Sequence, residues 1–254
     1  MSKNWRKQLM NPILANSSNE LQKLTVKRVT KLFLLLAAVL PFIIQLLVHK
    51  LYMIDWMALP TENINYSILD LFVIILLPLF CFIAATDLFT SEAEKGTLFP
   101  IRPISRLELY LSKIAAIGAY NVIQLIIVWV SVMVSSLLFD KTFYLTNIVA
   151  SLGAFLVSWF PLMVMASFAV LLSLMLNRSV VAISSMIFVY IVMLLLPYLF
   201  PNVLYMVPTS YLDWYMQWLG DVSIHWIVQT FTFLISSFVL FLTIGYYMFN
   251  KKEA

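Results

Sequence analysis

Charged side chains are scarce in this chain of 254 residues. Only 11% of the residues are Asp, Glu, Lys or Arg, whereas 63% are hydrophobic. A soluble domain is nearer half apolar and a quarter charged. A water-soluble globule of this length could not bury so much apolar surface, so the composition predicts an integral membrane protein.

Glycine, cysteine and histidine are also rare. With five glycines, the chain contains neither a G-x-x-x-x-G-K-[ST] loop nor a G-x-G-x-x-G loop, so it carries no nucleotide site of those kinds. The single cysteine, Cys81, excludes an intrachain disulfide. His49 and His225 each stand alone at the end of an apolar run, which favours the membrane–water interface over a metal site. We expect no catalytic, cofactor or metal site here.

Six apolar runs are long enough to cross a bilayer, since a transmembrane helix needs roughly 20 residues. The runs do not alternate strictly between polar and apolar residues, and backbone groups must be paired within lipid, so helices are expected rather than a barrel. The sequence predicts an all-α integral membrane protein, a single transmembrane domain over 1–254. Its expected spans are about 32–49, 68–87, 112–139, 147–176, 179–200 and 225–249.

Basic residues fall mainly on one side of these spans. If the N-terminus is cytoplasmic, the outer side holds only Lys50 and Lys141. By the positive-inside rule, both termini are therefore expected in the cytoplasm. This distribution sets topology and does not indicate nucleic-acid binding. The fourteen expected inner residues are Lys3, Arg6, Lys7, Lys23, Lys27, Arg28, Lys31, Lys95, Arg102, Arg106, Lys113, Arg178, Lys251 and Lys252.

Two segments outside the spans have patterns of their own. Residues 19–31 place Lys23, Lys27 and Lys31 on one stripe, which is typical of an amphipathic helix in the inner interface or of charges that only set topology. Residues 201–224 are rich in Trp and Tyr, which favours an aromatic belt at the outer interface. A helix there could be capped by Ser210 and Asp213.

The loop between the second and third spans contains two possible helix starts. Ser91 with Glu94 and Ser105 with Glu108 both have capping-box spacing. Gly96 permits a turn, while two prolines prevent one helix from running through. We expect a short charged cytoplasmic helix, a kinked turn and a helix that begins near residue 106.

This loop resembles that of the permease subunits of type-2 ABC transporters. Their loop has an acidic residue, a Glu, Gly-Thr-Leu, Pro-(Ile/Val)-Ser-Arg and, about seven residues later, a Lys. A Gly commonly precedes that Lys, where this chain has Ser112. The end of the chain, an aromatic Phe249 followed by basic residues, is also similar. The matching residues are Asp87, Glu92 or Glu94, Gly96-Thr97-Leu98, Pro103-Ile104-Ser105-Arg106 and Lys113.

The resemblance implies a permease subunit of an ATP-driven ABC exporter. Two permease chains, identical or paralogous, would assemble with a dimer of separate ATPase subunits, which bind ATP and Mg. The location would be a bacterial plasma membrane. The loop would act as a coupling helix that contacts the ATPase, and alternating access would move the cargo outward. The implied coupling residues are Glu92, Glu94, Lys95, Gly96, Thr97, Arg102 and Arg106.

The predicted spans contain no ionisable group at mid-depth, which argues against coupling to protons or sodium ions. Asn121 and Gln124 are polar groups of the third span that could face a partner helix or, less readily, a substrate. An apolar pathway would suit a hydrophobic or amphipathic cargo such as a lipid, peptide or drug. Alternatives are a non-transporting sensor or immunity subunit of the same fold, a stand-alone secondary carrier and an intramembrane hydrolase.

Overall fold

A computed structural model of the protein describes residues 12–53, 64–96, 105–139, 146–219 and 223–252. Within those ranges all regular structure is helical and there is no strand. Six helices are long and apolar enough to cross a membrane, which confirms the predicted number of spans. They are Arg28–Leu51, Ile64–Glu94, Arg106–Phe139, Ile148–Met175, Ser179–Leu199 and Ile224–Lys251, here called the first to sixth spans.

The second span is one continuous helix in which the α-helix is interrupted by two π-helical turns. π-Helical turns at Phe72–Leu76 and Thr86–Thr90 separate the α-helical parts. The α-helices are Pro12–Val26, Arg28–Met53, Ile64–Leu71, Leu77–Ala85, Ser91–Glu94, Arg106–Phe139, Thr146–Val157, Trp159–Met175, Ser179–Leu199 and Ile224–Lys251. Three 3₁₀ helices cover Pro201–Met206, Pro208–Tyr211 and Trp214–Trp218.

One of the two predicted helix starts is confirmed. The backbone N–H of Ser105 donates to Glu108 Oε2 at 3.1 Å, and the Glu108 N–H donates to Ser105 Oγ at 3.2 Å, so a capping box begins the third span at Arg106. The start at Ser91 is wrong. Thr90 already has helical dihedrals, with φ −70° and ψ −48°, and no side-chain cap. Ser91–Glu94 is therefore the last turn of the second span and not a separate helix.

The second and fourth spans are the most buried of the six, and the apolar part of the second is 61% buried. The first span packs on the third, where Tyr120 Oη donates to the Thr30 carbonyl at 2.7 Å and its ring stacks on Phe80 of the second span at 4.4 Å. The sixth span packs on the fourth, with Phe168 and Phe241 5.3 Å apart. The apolar part of the fourth span is 67% buried inside the protein. The corresponding share is 17% for the first and fifth spans and 11% for the sixth.

The outer segment between the fifth and sixth spans folds inward. Instead of one capped helix it forms the three 3₁₀ helices, and Asp213 makes no side-chain cap bond. Trp214 and Tyr215 are buried, whereas Tyr205, Trp218 and Trp226 are exposed at 57%, 51% and 46%. Tyr215 Oη donates to Asp70 Oδ1 of the second span at 2.6 Å, and the Trp214 ring stacks on Phe231 of the sixth span. The segment therefore ties the N-terminal ends of the second and sixth spans together.

Candidate coupling site at the Glu94 end of the second span

Three carboxylates occupy the last two turns of the second span, and each binds a different part of the chain. Asp87 contacts the N-terminal helix region, Glu92 contacts that helix and the third span, and Glu94 contacts the start of the fifth span. The π-helical turn Thr86–Thr90 lies among them, and such turns are common at functional sites. We call this group of carboxylates and their partners the coupling cluster.

A buried lysine lies at the centre of the coupling cluster. The Lys113 side chain of the third span is 1% exposed, and its Nζ lies 2.5 Å from Glu92 Oε2 and 3.5 Å from Glu20 Oε2. The same Nζ donates to the Leu88 carbonyl at 3.0 Å and lies 5.7 Å from the Phe89 ring centroid. A buried ammonium needs such compensation, because desolvation alone would cost several kcal/mol.

The N-terminal helix, Pro12–Val26, joins the coupling cluster through Glu20 and Lys23. Lys23 Nζ lies 2.8 Å from Glu20 and 3.2 Å from Glu92. Burial disfavours the Lys23 ammonium, but its two carboxylate partners outweigh burial and raise the pKa of Lys23. Lys27, at the bend after this helix, pairs with Asp87 at 3.0 Å. Two residues of the predicted basic stripe therefore bind protein carboxylates.

Glu94 connects the second span to the fifth. Its Oε1 accepts a hydrogen bond from the Ser179 backbone N–H at 3.2 Å, and its Oε2 accepts one from the Ser179 hydroxyl. A carboxylate at the first N–H groups of a helix is stabilised by the helix dipole. Gly96 follows with φ 66°, a conformation that glycine adopts without strain. The predicted turn at Gly96 is thus observed.

The sixth span also ends near this site. Arg106 Nη1 donates to the Asn250 carbonyl at 2.6 Å, so Arg106 ties the start of the third span to the end of the sixth. Phe249 is buried between Tyr110 and Phe89, with ring centroids 5.5 Å and 5.9 Å away. Burial lowers the pKa of Lys252.

The structure thus gives the predicted coupling residues different environments. Glu92 is held inside the protein by Lys113, while Glu94, Lys95 and Gly96 are exposed. Thr97 and Arg102 lie outside the described residues. Sequence reasoning did not identify the roles of Glu20 and Lys113. The sequence did contain a signal for these roles. Lys113 is a cation within an apolar run, and Glu20 is an acidic residue in a basic segment, so each could be expected to need a partner of opposite charge.

Asn121 and Gln124 of the third span are both buried within this chain. Asn121 Nδ2 lies 3.2 Å from Cys81 Sγ of the second span. Gln124 Oε1 has no hydrogen-bond partner among the described residues. The two side chains face the bundle interior, so the Asn121 side chain serves contact between helices of the same chain.

The arrangement joins neighbouring helices through ion pairs and hydrogen bonds. The part of the chain that the structure describes holds no group of three or more His, Cys, Asp or Glu side chains that could bind a metal. The coupling cluster instead joins the second span to the N-terminal helix and to the third and fifth spans.

Comparison with known proteins assigns the chain to a family. No match was found among curated proteins. A family model described as "ABC-2 family transporter protein" matches residues 18–194, more than half of the chain. The match begins within the N-terminal helix, covers the coupling cluster and the first four spans, and extends into the fifth. The chain therefore belongs to the ABC-2 transporter family, as a multi-pass membrane permease subunit of an ABC transporter.

Proposed function

We propose that this chain is the permease of an ATP-driven exporter that moves a hydrophobic or amphipathic cargo outward. A dimer of separate ATPase subunits binds ATP and Mg and drives the motion, and a second permease chain, identical or paralogous, completes the pathway. The complex resides in the plasma membrane of a bacterium, with both chain termini in the cytoplasm. Family membership supports the association with an ABC ATPase.

One observation carries the proposal: the cytoplasmic end of the second span is bonded to three other parts of the chain. Glu92 holds Lys113, Glu94 holds Ser179 and Asp87 holds Lys27. A force applied at this end is transmitted to the third span, the fifth span and the N-terminal helix together. Alternating access needs such concerted movement of packed helices.

The roles of the coupling residues follow from their exposure. Glu94, Lys95 and Gly96 are exposed at the end of the helix and form part of the surface that contacts the ATPase; the family resemblance assigns Thr97 and Arg102, outside the described residues, to the same contact. Glu92 and Arg106 position this surface, because Glu92 pairs with Lys113 and Arg106 binds the sixth span.

The exposed apolar surfaces of the bundle support the assignment of a hydrophobic or amphipathic cargo. The fifth span exposes Val180, Phe188 and Tyr198 at 78%, 69% and 86%. A groove of about 450 Å³ lies between the first and third spans, and Ser131 is its one polar lining residue. Such surfaces suit an acyl chain, an apolar peptide or a hydrophobic drug.

Purification of the full chain from its native membrane in mild detergent tests the proposal. An ATPase of separate sequence is expected to accompany the wild type, and Glu94→Arg is expected to remove it or to uncouple ATP hydrolysis from transport. Gln22→Arg is the control, because Gln22 is exposed on the N-terminal helix and the change also introduces an arginine side chain. If the chain purifies alone, the proposal fails.

Reconstituted vesicles separate the permease from a sensor or immunity subunit. Loss of a fluorescent lipid or hydrophobic dye from one leaflet is expected to require the ATPase and ATP. Movement of small hydrophilic solutes alone would contradict the assignment of cargo. ATP hydrolysis with no movement of any tested cargo would favour the non-transporting subunit.

A further inference from the structure

Two cations at the start of the first span have no acidic partner among the described residues. Lys23 and Lys27, which precede them, pair with carboxylates of the second span. Arg28 and Lys31 are exposed and, within the ranges that the structure describes, form no ion pair and no side-chain hydrogen bond. Both stand where an apolar span begins, a position typical of the membrane–water interface. Their charges are therefore available to a ligand at that level of the membrane.

One stripe of the first span leads from these cations to an apolar groove. Its residues are spaced three, four, three and four positions apart, which keeps them within about 80° of one another around the helix. Two of them, Ala38 and Phe42, line the groove of about 450 Å³ between the first and third spans. We call this row the first-span stripe; it consists of Arg28, Lys31, Leu35, Ala38 and Phe42.

The groove is a built concavity with apolar walls. The Ser131 hydroxyl of the third span donates to the Ala38 carbonyl at 2.6 Å, which fixes the two spans against each other at the groove. Phe42 packs on Phe139 of the third span, with ring centroids 5.3 Å apart, on the side of the groove away from Arg28. An occupant is therefore held by apolar contacts along the groove and meets positive charge beyond its other end. The remaining lining residues are Val39, Ile126, Ile127, Val130 and Val134.

The distance between the cations and the groove matches a phospholipid. Seven positions separate Lys31 from Ala38, or about 10 Å along the helix axis. The headgroup layer of a bilayer is roughly 5–8 Å thick on each side of the hydrocarbon core. A phosphate at Lys31 therefore places the beginning of an acyl chain near Ala38 and its following carbons along Phe42. Arg28 is one helical turn from Lys31, so both side chains reach the same phosphate.

We propose that the first-span stripe and the groove bind one anionic phospholipid that stays with the protein. Arg28 and Lys31 bind its phosphate, since a guanidinium matches the geometry of phosphate oxygens, and one acyl chain fills the groove. A net negative headgroup is favoured over a zwitterionic one, because a choline or ethanolamine group would add a third cation beside the first two. The site needs only that these spans cross a membrane, so it stands or falls separately from the proposed export of cargo.

Photolabelling with defined lipids tests the site. The full chain is reconstituted into phosphatidylcholine vesicles that contain a trace of phosphatidylglycerol or of phosphatidylcholine with a diazirine in one acyl chain. Mass spectrometry then maps the labelled positions. The phosphatidylglycerol probe is expected to label residues 38–42 and 126–134 at least fivefold more than the phosphatidylcholine probe does. It is also expected to label them at least fivefold more than the fifth span around Phe188, which is 69% exposed.

Any of four results would overturn the proposal. Equal labelling of the groove and the fifth span would show ordinary lipid contact, and equal labelling by both probes would remove the preference for negative charge. Loss of label from the groove during ATP hydrolysis by the co-purified ATPase would identify the occupant as cargo. Excess glycerol phosphate, the headgroup without acyl chains, is expected to leave labelling unchanged; competition by it would show an ion site in place of a lipid site.

Two kinds of variant separate binding from folding. Arg28→Gln combined with Lys31→Gln is expected to lower labelling of the groove at least fivefold, whereas Lys50→Gln, at the other end of the first span, is expected to leave it unchanged. Ala38→Trp fills the groove without changing charge and is expected to have the same effect as the loss of both cations. Leu47→Trp is its matched control, because Leu47 is 55% exposed on another face of the same span. Unchanged labelling in the charge variant or in Ala38→Trp, with the protein inserted normally, contradicts the site.

Discussion

The ammonium group of Lys113 lies 2.5 Å from a carboxylate oxygen of Glu92, although the Lys113 side chain is only 1% exposed. This pair joins the second and third spans at the end of the bundle where the second span ends and the third begins. Glu20 brings the N-terminal helix to the same ammonium at 3.5 Å. One buried charge thus holds three helices in a fixed relationship.

Lys113→Met is expected to destabilise the protein by about 3 kcal/mol, because removing one partner leaves Glu92 and Glu20 without their buried cation. Thermal unfolding in detergent measures the loss. Lys95→Met is the control, since Lys95 is exposed on the same side of the bundle. Adding Glu92→Gln to Lys113→Met is expected to recover part of the stability. An unchanged melting temperature in Lys113→Met would contradict the role of this pair.

Gly245→Ala is expected to loosen the C-terminal end of the sixth span. An added Cβ would clash with Tyr110 Oη, which donates to the Leu242 carbonyl at 3.1 Å. The ring would have to move, at a cost of about 1–3 kcal/mol typical of overpacking. Gly153→Ala is the matched control, because nothing lies within 4 Å of its added Cβ. Equal melting temperatures for the two variants would contradict the close approach.

Tyr215→Phe is expected to release the outer segment from the second span. Burial and the hydrogen bond to Asp70 raise the pKa of the Tyr215 hydroxyl, so it remains a donor at neutral pH. Removing it leaves the Asp70 carboxylate without that donor, a loss of about 1–3 kcal/mol. Faster proteolysis between the fifth and sixth spans of the variant would report the release. Tyr198→Phe, at a residue 86% exposed, is expected to behave as the wild type.

The spans could be predicted from the sequence because long apolar runs in lipid admit few structures. The capping box at Ser105 was also predictable, since both of its side chains are local. The corresponding pattern at Ser91 was misleading, because the preceding residues were already helical and Glu94 found its partner in Ser179, 85 positions away in sequence.

The ion pairs and hydrogen bonds of the candidate site join residues that are far apart in the sequence. Spacing along the chain therefore does not predict them. Lys23 and Lys27 have the spacing of an amphipathic interfacial helix, and carboxylates of the second span lie opposite them. In the aromatic segment, Tyr215 likewise donates to Asp70, a residue distant in sequence. In both places the local pattern does not show the tertiary partner.

Two buried glutamines are expected to respond in opposite ways to the same substitution. Gln45 donates to Asn65 at 2.8 Å and to Ser136 at 3.2 Å, which links the first three spans. Gln45→Leu leaves those partners unsatisfied and is expected to cost about 1–3 kcal/mol. Gln124 Oε1 is buried without a partner, so Gln124→Leu removes an unpaired acceptor and is expected to be neutral or stabilising. Thermal unfolding of both variants in one detergent measures the contrast, and a larger loss in Gln124→Leu would show that this amide is bonded in the membrane.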